Sequence, residues 1–177
     1  MNRWCWLGCA TLVLLVQAFA QATDALHHPE VTAPRVSSPP RIDGVIGDDE
    51  WQAAARLGGF ISMSKALVEP PSEGFISYDS ERLYVAFRVK RDFRVPLKTK
   101  APGRDKEVWR DDAVELWLRP HADHGNFALL GNTAGTVADF NDEKNRFSWH
   151  AEWEYHSAVY HDRWEAELSI PFEELGQ

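Results

Sequence analysis

Apolar and polar side chains alternate with a period of two residues through much of the sequence, and this alternation limits the folds that the chain can adopt. The pattern is clearest at 83–90 and 164–170, where every second residue is apolar. Successive side chains of a β-strand point to opposite faces of a sheet, so such segments predict strands with one face in a core. Similar segments lie at 75–78, 113–118, 126–131, 136–140 and 149–156. Together they predict an all-β protein, an antiparallel β-sandwich of immunoglobulin-like or jelly-roll type.

The last predicted strand places Trp164, Leu168 and Ile170 towards the core, with Glu165 and Glu167 on the opposite, polar face. Trp51 is a further core candidate. Acidic residues followed by alanines at 48–55 predict one short helix. The strand ends at Pro171 and the sequence stops at Gln177. A strand patterned for a core needs neighbours on both sides, so we expect the sandwich, residues 36–177, to lack its last strands.

The first twenty residues have the pattern of a secretory signal peptide. Arg3 supplies a positive charge, an apolar run follows to Phe19, and Ala18-Phe19-Ala20 resembles a cleavage site. The apolar run is too short to predict membrane insertion. We therefore expect a secreted or periplasmic protein in which residues 21–35 form an extended linker. Both cysteines, Cys5 and Cys9, lie within residues 1–20, so no disulfide is expected in the domain.

The chain is acidic, with a formal net charge of −8 at pH 7. That charge argues against nucleic acid or an anionic membrane as a partner. It is compatible with a neutral ligand or a cation.

Residues 109–118 combine aromatic and acidic side chains on one predicted strand face. Alternation places Glu115 and Trp117 on the face opposite Val114, and the same parity reaches back to Trp109. An indole can cover the apolar C–H face of a sugar ring while carboxylates accept its hydroxyl protons. Trp109, Glu115 and Asp112 are therefore our candidates for carbohydrate binding. The alternative is an amphipathic edge strand with a solvated polar face, in which Asp112 caps the strand entry or binds a cation.

Four segments resemble, in order, the motifs of family 9 carbohydrate-binding modules, a β-sandwich group often described as similar to DOMON domains. Residues 42–51 are similar to the opening I-D-G…D-E-x-W pattern, and residues 78–85 to Y-D-x-x-x-L-Y-V. Residues 109–115 match W-x-x-D-x-V-E, and residues 164–172 match W-x-x-E-x-x-I-P-F. The likeness extends from about Val36 to Leu175.

The resemblance implies a non-catalytic module that grips oligo- or polysaccharides of the xylan or cellulose type between two tryptophans. It assigns one wall to Trp109 and hydroxyl binding to Glu115, whereas the opposite wall would fall beyond Gln177. An arginine of those relatives corresponds here to Ala128. The resemblance also implies a role in carbohydrate catabolism, as part of or associated with a glycoside hydrolase. Some relatives hold structural calcium, but no ligand set can be assigned.

Other residues allow alternative roles. Trp149 and Trp153 could form an additional aromatic platform, but core packing is favoured, because Ala151 and Tyr155 continue the same face. His121, Asp123, His124 and His150 could ligate zinc or copper, or belong to solvated loops. Asp111, Asp112 and Glu115 invite a glycosidase interpretation, but they come from one turn and one strand, so any hydrolase activity is expected in a parent protein. A haem-binding electron-transfer sandwich, with Met63 as a candidate axial ligand, and a structural interaction domain are the remaining alternatives.

Overall fold

The computed structural model describes residues 30–61, 64, 66–120, 125–142 and 148–176. The signal sequence expected at 1–20, Met63 and the histidine-containing segment 121–124 lie outside these residues. The chain divides into two units, Met1–Val31 and Thr32–Gln177, and the second contains all of the strands given below. Among the described residues, no helix has the length and apolar character needed to cross a membrane.

Eight strands and two short 3-10 turns make up the regular structure of the described residues. The strands are β1 (Ala55–Leu57), β2 (Glu73–Tyr78), β3 (Arg82–Lys90), β4 (Ala113–Leu118), β5 (Phe127–Asn132), β6 (Val137–Asn141), β7 (Glu154–Val159) and β8 (Arg163–Pro171). The 3-10 turns are Val108–Arg110 and Phe172–Leu175. The expected all-β class is therefore confirmed.

The strands form two antiparallel sheets. The large sheet has the order β1-β2-β3-β8-β7, and the small sheet has the order β4-β5-β6. β8 is hydrogen-bonded to β3 on one side and to β7 on the other. Our expectation that the strand ending at Pro171 lacks neighbours was wrong, because both neighbours precede it in the chain: β7 leads into β8 through the short turn at 160–162, and β3 comes from before the small sheet.

The main core lies between the two sheets. Trp164, Ala166, Leu168 and Ile170 of β8 pack there with Val85, and with Val114 and Leu129 of the small sheet. The predicted inward alternation of β8 is therefore confirmed. The small sheet also accepts the Tyr155 ring at Gly131, where an added Cβ would lie 2.2 Å from a ring carbon. A glycine on β5 is required for the two sheets to approach each other at this point.

The opposite face of the large sheet is also covered. Ile46 and Trp51 from the irregular segment before β1 pack on Phe75, Tyr84 and Ala86, and we call these five residues the outer cluster. The segment contains no helix at 48–55: Trp51 N–H donates to the Gly47 carbonyl and Ala54 N–H donates to the Trp51 carbonyl, which gives consecutive turns. The expected helix was wrong, because packing of Trp51 on the sheet overrides the local helix preference.

Two glutamates of β8 lie beneath this segment. Glu165 and Glu167 are 1% and 0% exposed, so the polar face of β8 is buried instead of solvated. Burial raises the pKa of Glu167, although Trp51, Gly44 and Asp43 donate hydrogen bonds to its carboxylate. Burial also acts to raise the pKa of Glu165, but the Arg88 and Arg163 guanidinium groups outweigh it, and the pKa is lowered.

Glu167 explains why two of the sequence motifs occur together. Its Oε2 accepts hydrogen bonds from the backbone N–H groups of Asp43 at 3.0 Å and Gly44 at 2.7 Å, and its Oε1 accepts one from the Trp51 indole at 2.7 Å. Gly44 has a φ of +88°, and an added Cβ would lie 2.9 Å from the Ser157 backbone. The opening and closing motifs therefore form one buried structural contact.

Candidate functional site

The loop before β4 is fixed to the small sheet by two aspartates. Asp111 accepts hydrogen bonds from the backbone N–H groups of Lys100 and Ala101, both at 2.8 Å, and from the Asn132 side-chain amide at 2.9 Å. The bond from Lys100 contributes most to lowering the pKa of Asp111, against a smaller opposing effect of desolvation. Asp112 Oδ2 accepts the Lys98 N–H at 2.7 Å. These bonds favour the capping role considered for Asp112 over contact with a sugar.

Trp109 lies on the 3-10 turn that ends this loop. Glu107 adopts a left-handed conformation with φ 58°, and the turn closes through hydrogen bonds from Arg110 N–H to the Glu107 carbonyl and from Asp111 N–H to the Val108 carbonyl. Val108 is fully buried and packs with Ala113, Ala128 and Leu130. The turn is therefore seated on the small sheet. The next residue, Trp109, is 44% exposed.

The face of the small sheet that receives Val108 is opposite the main core, and we call it the outer face. It carries Ala113, Glu115 and Trp117 of β4, Ala128 and Leu130 of β5, and Ala138 and Phe140 of β6. Val114 between these β4 residues is buried, whereas Glu115 and Trp117 are exposed. The predicted parity of β4 is therefore confirmed, and it places Glu115 on the same face as the turn that carries Trp109.

Trp117 makes contacts that the sequence motifs do not indicate. Its indole N–H donates to Glu115 Oε2 at 3.2 Å, and its ring meets Phe140 edge-on with the ring centroids 5.2 Å apart. In the strand register Ala128 lies between Trp117 and Phe140. The small alanine side chain leaves room for the two rings to meet. The parity of β4 and the alanine at 128 were the signals in the sequence, but the ring contact depends on pairing across three strands.

Trp149 and Trp153 are directed towards the core. Both are partly buried and pack against the main core cluster, Trp149 edge-on to Phe127 and Trp153 edge-on to Tyr155. The Trp153 indole also donates to Asp139 at 3.3 Å. Residues 149–153 are irregular and β7 begins only at Glu154, so the strand predicted at 149–156 was too long. These contacts favour the packing interpretation over an aromatic platform.

One group of side chains has the composition of a metal site. Ligand atoms of Asp105, Asp139 and His150 lie within 4.8 Å of one another. However, the Arg104 guanidinium donates to the fully buried Asp139, and His150 Nδ1 lies 3.4 Å from Asp105 Oδ2. A guanidinium that already neutralises Asp139 competes with a metal ion for the same oxygen. This group therefore fits an internal network of polar and charged side chains better than a metal site.

The outer face combines two properties that suit a saccharide. It exposes the Trp117 indole beside the Glu115 carboxylate, and it holds the turn that carries the half-exposed Trp109. The indoles offer apolar surface for C–H groups, and the carboxylate accepts hydroxyl protons.

Solved structures of carbohydrate-binding proteins share this fold. A protein from Bacteroides uniformis, described as a candidate carbohydrate-binding protein, is similar with a TM-score of 0.63 and 16% identity over 82% of this chain and 73% of its own. A family 9 carbohydrate-binding module from Caldicellulosiruptor kristjanssonii in complex with cellotriose gives 0.57 and 16% over 78% of this chain and 65% of that one. A structure of such a module from the same organism with glucose gives 0.52 and 15% over 78% and 67%.

At these identities the likeness concerns the fold. No protein-family model matches the chain, and no curated protein matches it. The protein therefore has the β-sandwich fold of the family 9 carbohydrate-binding modules, which is the fold that the four sequence motifs implied.

Proposed function

We propose that this protein binds carbohydrate without catalysis, through Trp109 and Glu115 on the outer face of the small sheet. The observation that carries the proposal is an indole 44% exposed to solvent on a turn fixed by Asp111 and Val108, on the sheet face that presents Glu115. Structural neighbours described as complexes with cellotriose and with glucose support a saccharide as the ligand class.

Three further parts of the proposal, namely export, the type of glycan and an association with a hydrolase, rest on the sequence. The segment 1–20 supports export to the periplasm or beyond. The motif resemblance supports xylan- or cellulose-type glycans and an association with a glycoside hydrolase.

The acidic groups near the site support binding without hydrolysis. A general acid for glycoside cleavage must hold a proton near neutral pH, which requires a raised pKa. Hydrogen bonds from the loop backbone instead lower the pKa of Asp111. Asp112 is likewise engaged by the Lys98 N–H. Both aspartates therefore suit an anchoring role.

A glycan panel followed by calorimetry tests this function. We expect measurable affinity for at least one β-linked plant polysaccharide or its oligosaccharides. Trp109→Ala should weaken that affinity roughly tenfold to hundredfold, the effect of removing about 1–3 kcal/mol of stacking. The melting temperature should barely change, because the side chain is half exposed.

A matched control variant is Phe93→Ala. Phe93 is 55% exposed and stacks, with ring centroids 4.2 Å apart, on His161 in the turn between β7 and β8 of the large sheet. Its loss should leave saccharide affinity unchanged. Absence of binding across the panel, or equal affinity of Trp109→Ala and wild type, would reject the proposed function.

A further inference from the structure

Trp117 is held in place while much of its indole remains accessible. It is 49% exposed, whereas Phe140, which it meets edge-on, is 3% exposed. Covering Phe140 therefore accounts for only part of the indole surface.

The contacts of Trp117 restrict its rotation before any ligand arrives. The ring contact with Phe140 and the hydrogen bond from the indole N–H to Glu115 act on different parts of the side chain. A side chain that is already ordered loses less conformational entropy on binding. The Glu115 carboxylate has about four lone-pair sites in total, so the bond to Trp117 leaves it able to accept sugar hydroxyls.

The turn that carries Trp109 and the indole of Trp117 are separated along β4. The turn carrying Trp109 packs against Ala113, where β4 begins. Trp117 lies four residues beyond Ala113 on the strand, so the Cα atoms of Ala113 and Trp117 are about 13 Å apart. Glu115 lies midway. Two aromatic surfaces on either side of one carboxylate suit an oligosaccharide better than they suit a single sugar ring.

We propose that Trp117 forms a second stacking subsite, so that the outer face binds two rings of one oligosaccharide at separate positions along its chain. This inference rests on the proposed function and extends it from a class of ligand to a chain-length preference. The contact between Trp117 and Phe140 across Ala128 creates the subsite, and Glu115 is shared by both rings.

Chain-length dependence of affinity provides the test. Calorimetry would compare glucose with cellotriose, xylose with xylotriose, and mannose with mannotriose. For the preferred sugar we expect the wild type to bind the trisaccharide at least about tenfold more tightly than the monosaccharide, as one added stacking contact provides. Trp117→Ala should reduce that ratio to below about threefold while leaving monosaccharide affinity within about twofold.

Three further variants separate the possible roles of Trp117. Trp109→Ala should weaken mono- and trisaccharide binding alike. Trp117→Phe keeps an aromatic surface but removes the N–H that contacts Glu115, so it should keep most of the chain-length gain. Phe93→Ala should keep the full gain in affinity from monosaccharide to trisaccharide. Thermal melts of each variant would confirm that the protein is folded.

Each outcome has a definite meaning. An unchanged chain-length ratio in Trp117→Ala, with Trp109→Ala still impaired, overturns the second subsite and leaves the proposed function standing. An equal loss of mono- and trisaccharide affinity in Trp117→Ala also overturns it, because Trp117 would then act through Glu115. Wild-type protein that binds no saccharide rejects the proposed function and this inference together.

Discussion

Replacing Glu167 by glutamine is expected to destabilise the fold by about 2–4 kcal/mol, although the substitution only exchanges one carboxylate oxygen for an amide NH2 group. The wild-type carboxylate uses Oε1 to accept the Trp51 indole and Oε2 to accept the N–H groups of Asp43 and Gly44. Glutamine has a single acceptor oxygen. In its best orientation the oxygen keeps the two backbone bonds, and the amide group then points a donor at the indole N–H.

The magnitude follows from burial. Glu167 is 0% exposed and Trp51 is 1% exposed, so water cannot replace the lost acceptor. A hydrogen bond to a charged group contributes about 1.5–3 kcal/mol, and a buried donor without an acceptor costs about 1–3 kcal/mol. The lower cost of burying a neutral amide offsets part of this sum. A domain of this size should melt roughly 5–10 °C lower.

The pH dependence gives a second measurement. Because burial raises the pKa of Glu167 above the ordinary glutamate value of 4.5, the folded state binds more protons than the unfolded state just above that pH. The stability that Glu167 contributes is then fully present below its unfolded pKa and declines as the pH rises through the folded pKa. The difference between wild type and Glu167→Gln should therefore shrink as the pH rises from about 4.5 and then become constant.

Urea denaturation of wild type, Glu167→Gln and the exposed control Glu152→Gln would measure these effects. The control should lie within about 0.5 kcal/mol of wild type. Trp51→Phe removes the indole donor, so a double-mutant cycle with Glu167→Gln should reveal a coupling of about 1–2 kcal/mol. A loss below about 0.5 kcal/mol in Glu167→Gln, or no coupling to Trp51, would refute this account of the buried carboxylate.

Two other predictions concern the backbone. Gly44→Ala should lower the free energy of unfolding, measured in urea, by about 1–3 kcal/mol, because a φ of +88° disfavours a side chain and the new Cβ would meet the Ser157 backbone. The control Gly58→Ala, which has open space around the new Cβ, should have little effect. Asp111→Ala should speed amide hydrogen exchange at Lys100 and Ala101 several-fold or more, because both lose their acceptor; unchanged exchange there would show that the loop is held by other contacts.

Periodicity predicted the strands that matter most for the site. In β4 the alternation of Val114, Glu115 and Trp117 correctly indicated which side chains face the core, because pleating separates neighbours onto two faces. The same argument for β8 identified its inward residues and placed Glu165 and Glu167 on the opposite face, but it did not indicate that this face is buried. Alternation shows that a strand has two faces, but it contains no information about what covers the second one.

The covering segment could not be predicted because it has no regular structure. Ile46 and Trp51 reach the large sheet from turns, and the position of those turns is determined by hydrogen bonds to Glu167 more than 100 residues away in sequence. The local preference at 48–55 favoured a helix, and the long-range bonds override it. Likewise, the contact between Trp117 and Phe140 depends on the pairing of three strands, which a single strand pattern does not specify.

The bond between Gly44 and Glu167 also affects when the protein can finish folding during synthesis. The two residues are 123 positions apart, so the bond that anchors the segment over the large sheet cannot form until β8 has left the ribosome. At about 5–20 residues per second, translation of that interval takes roughly 6–25 s. From their own synthesis until that of β8, Trp51 and Phe75 have no Glu167 and no completed sheet to bury them. A chaperone therefore has several seconds in which to bind a chain that cannot yet fold.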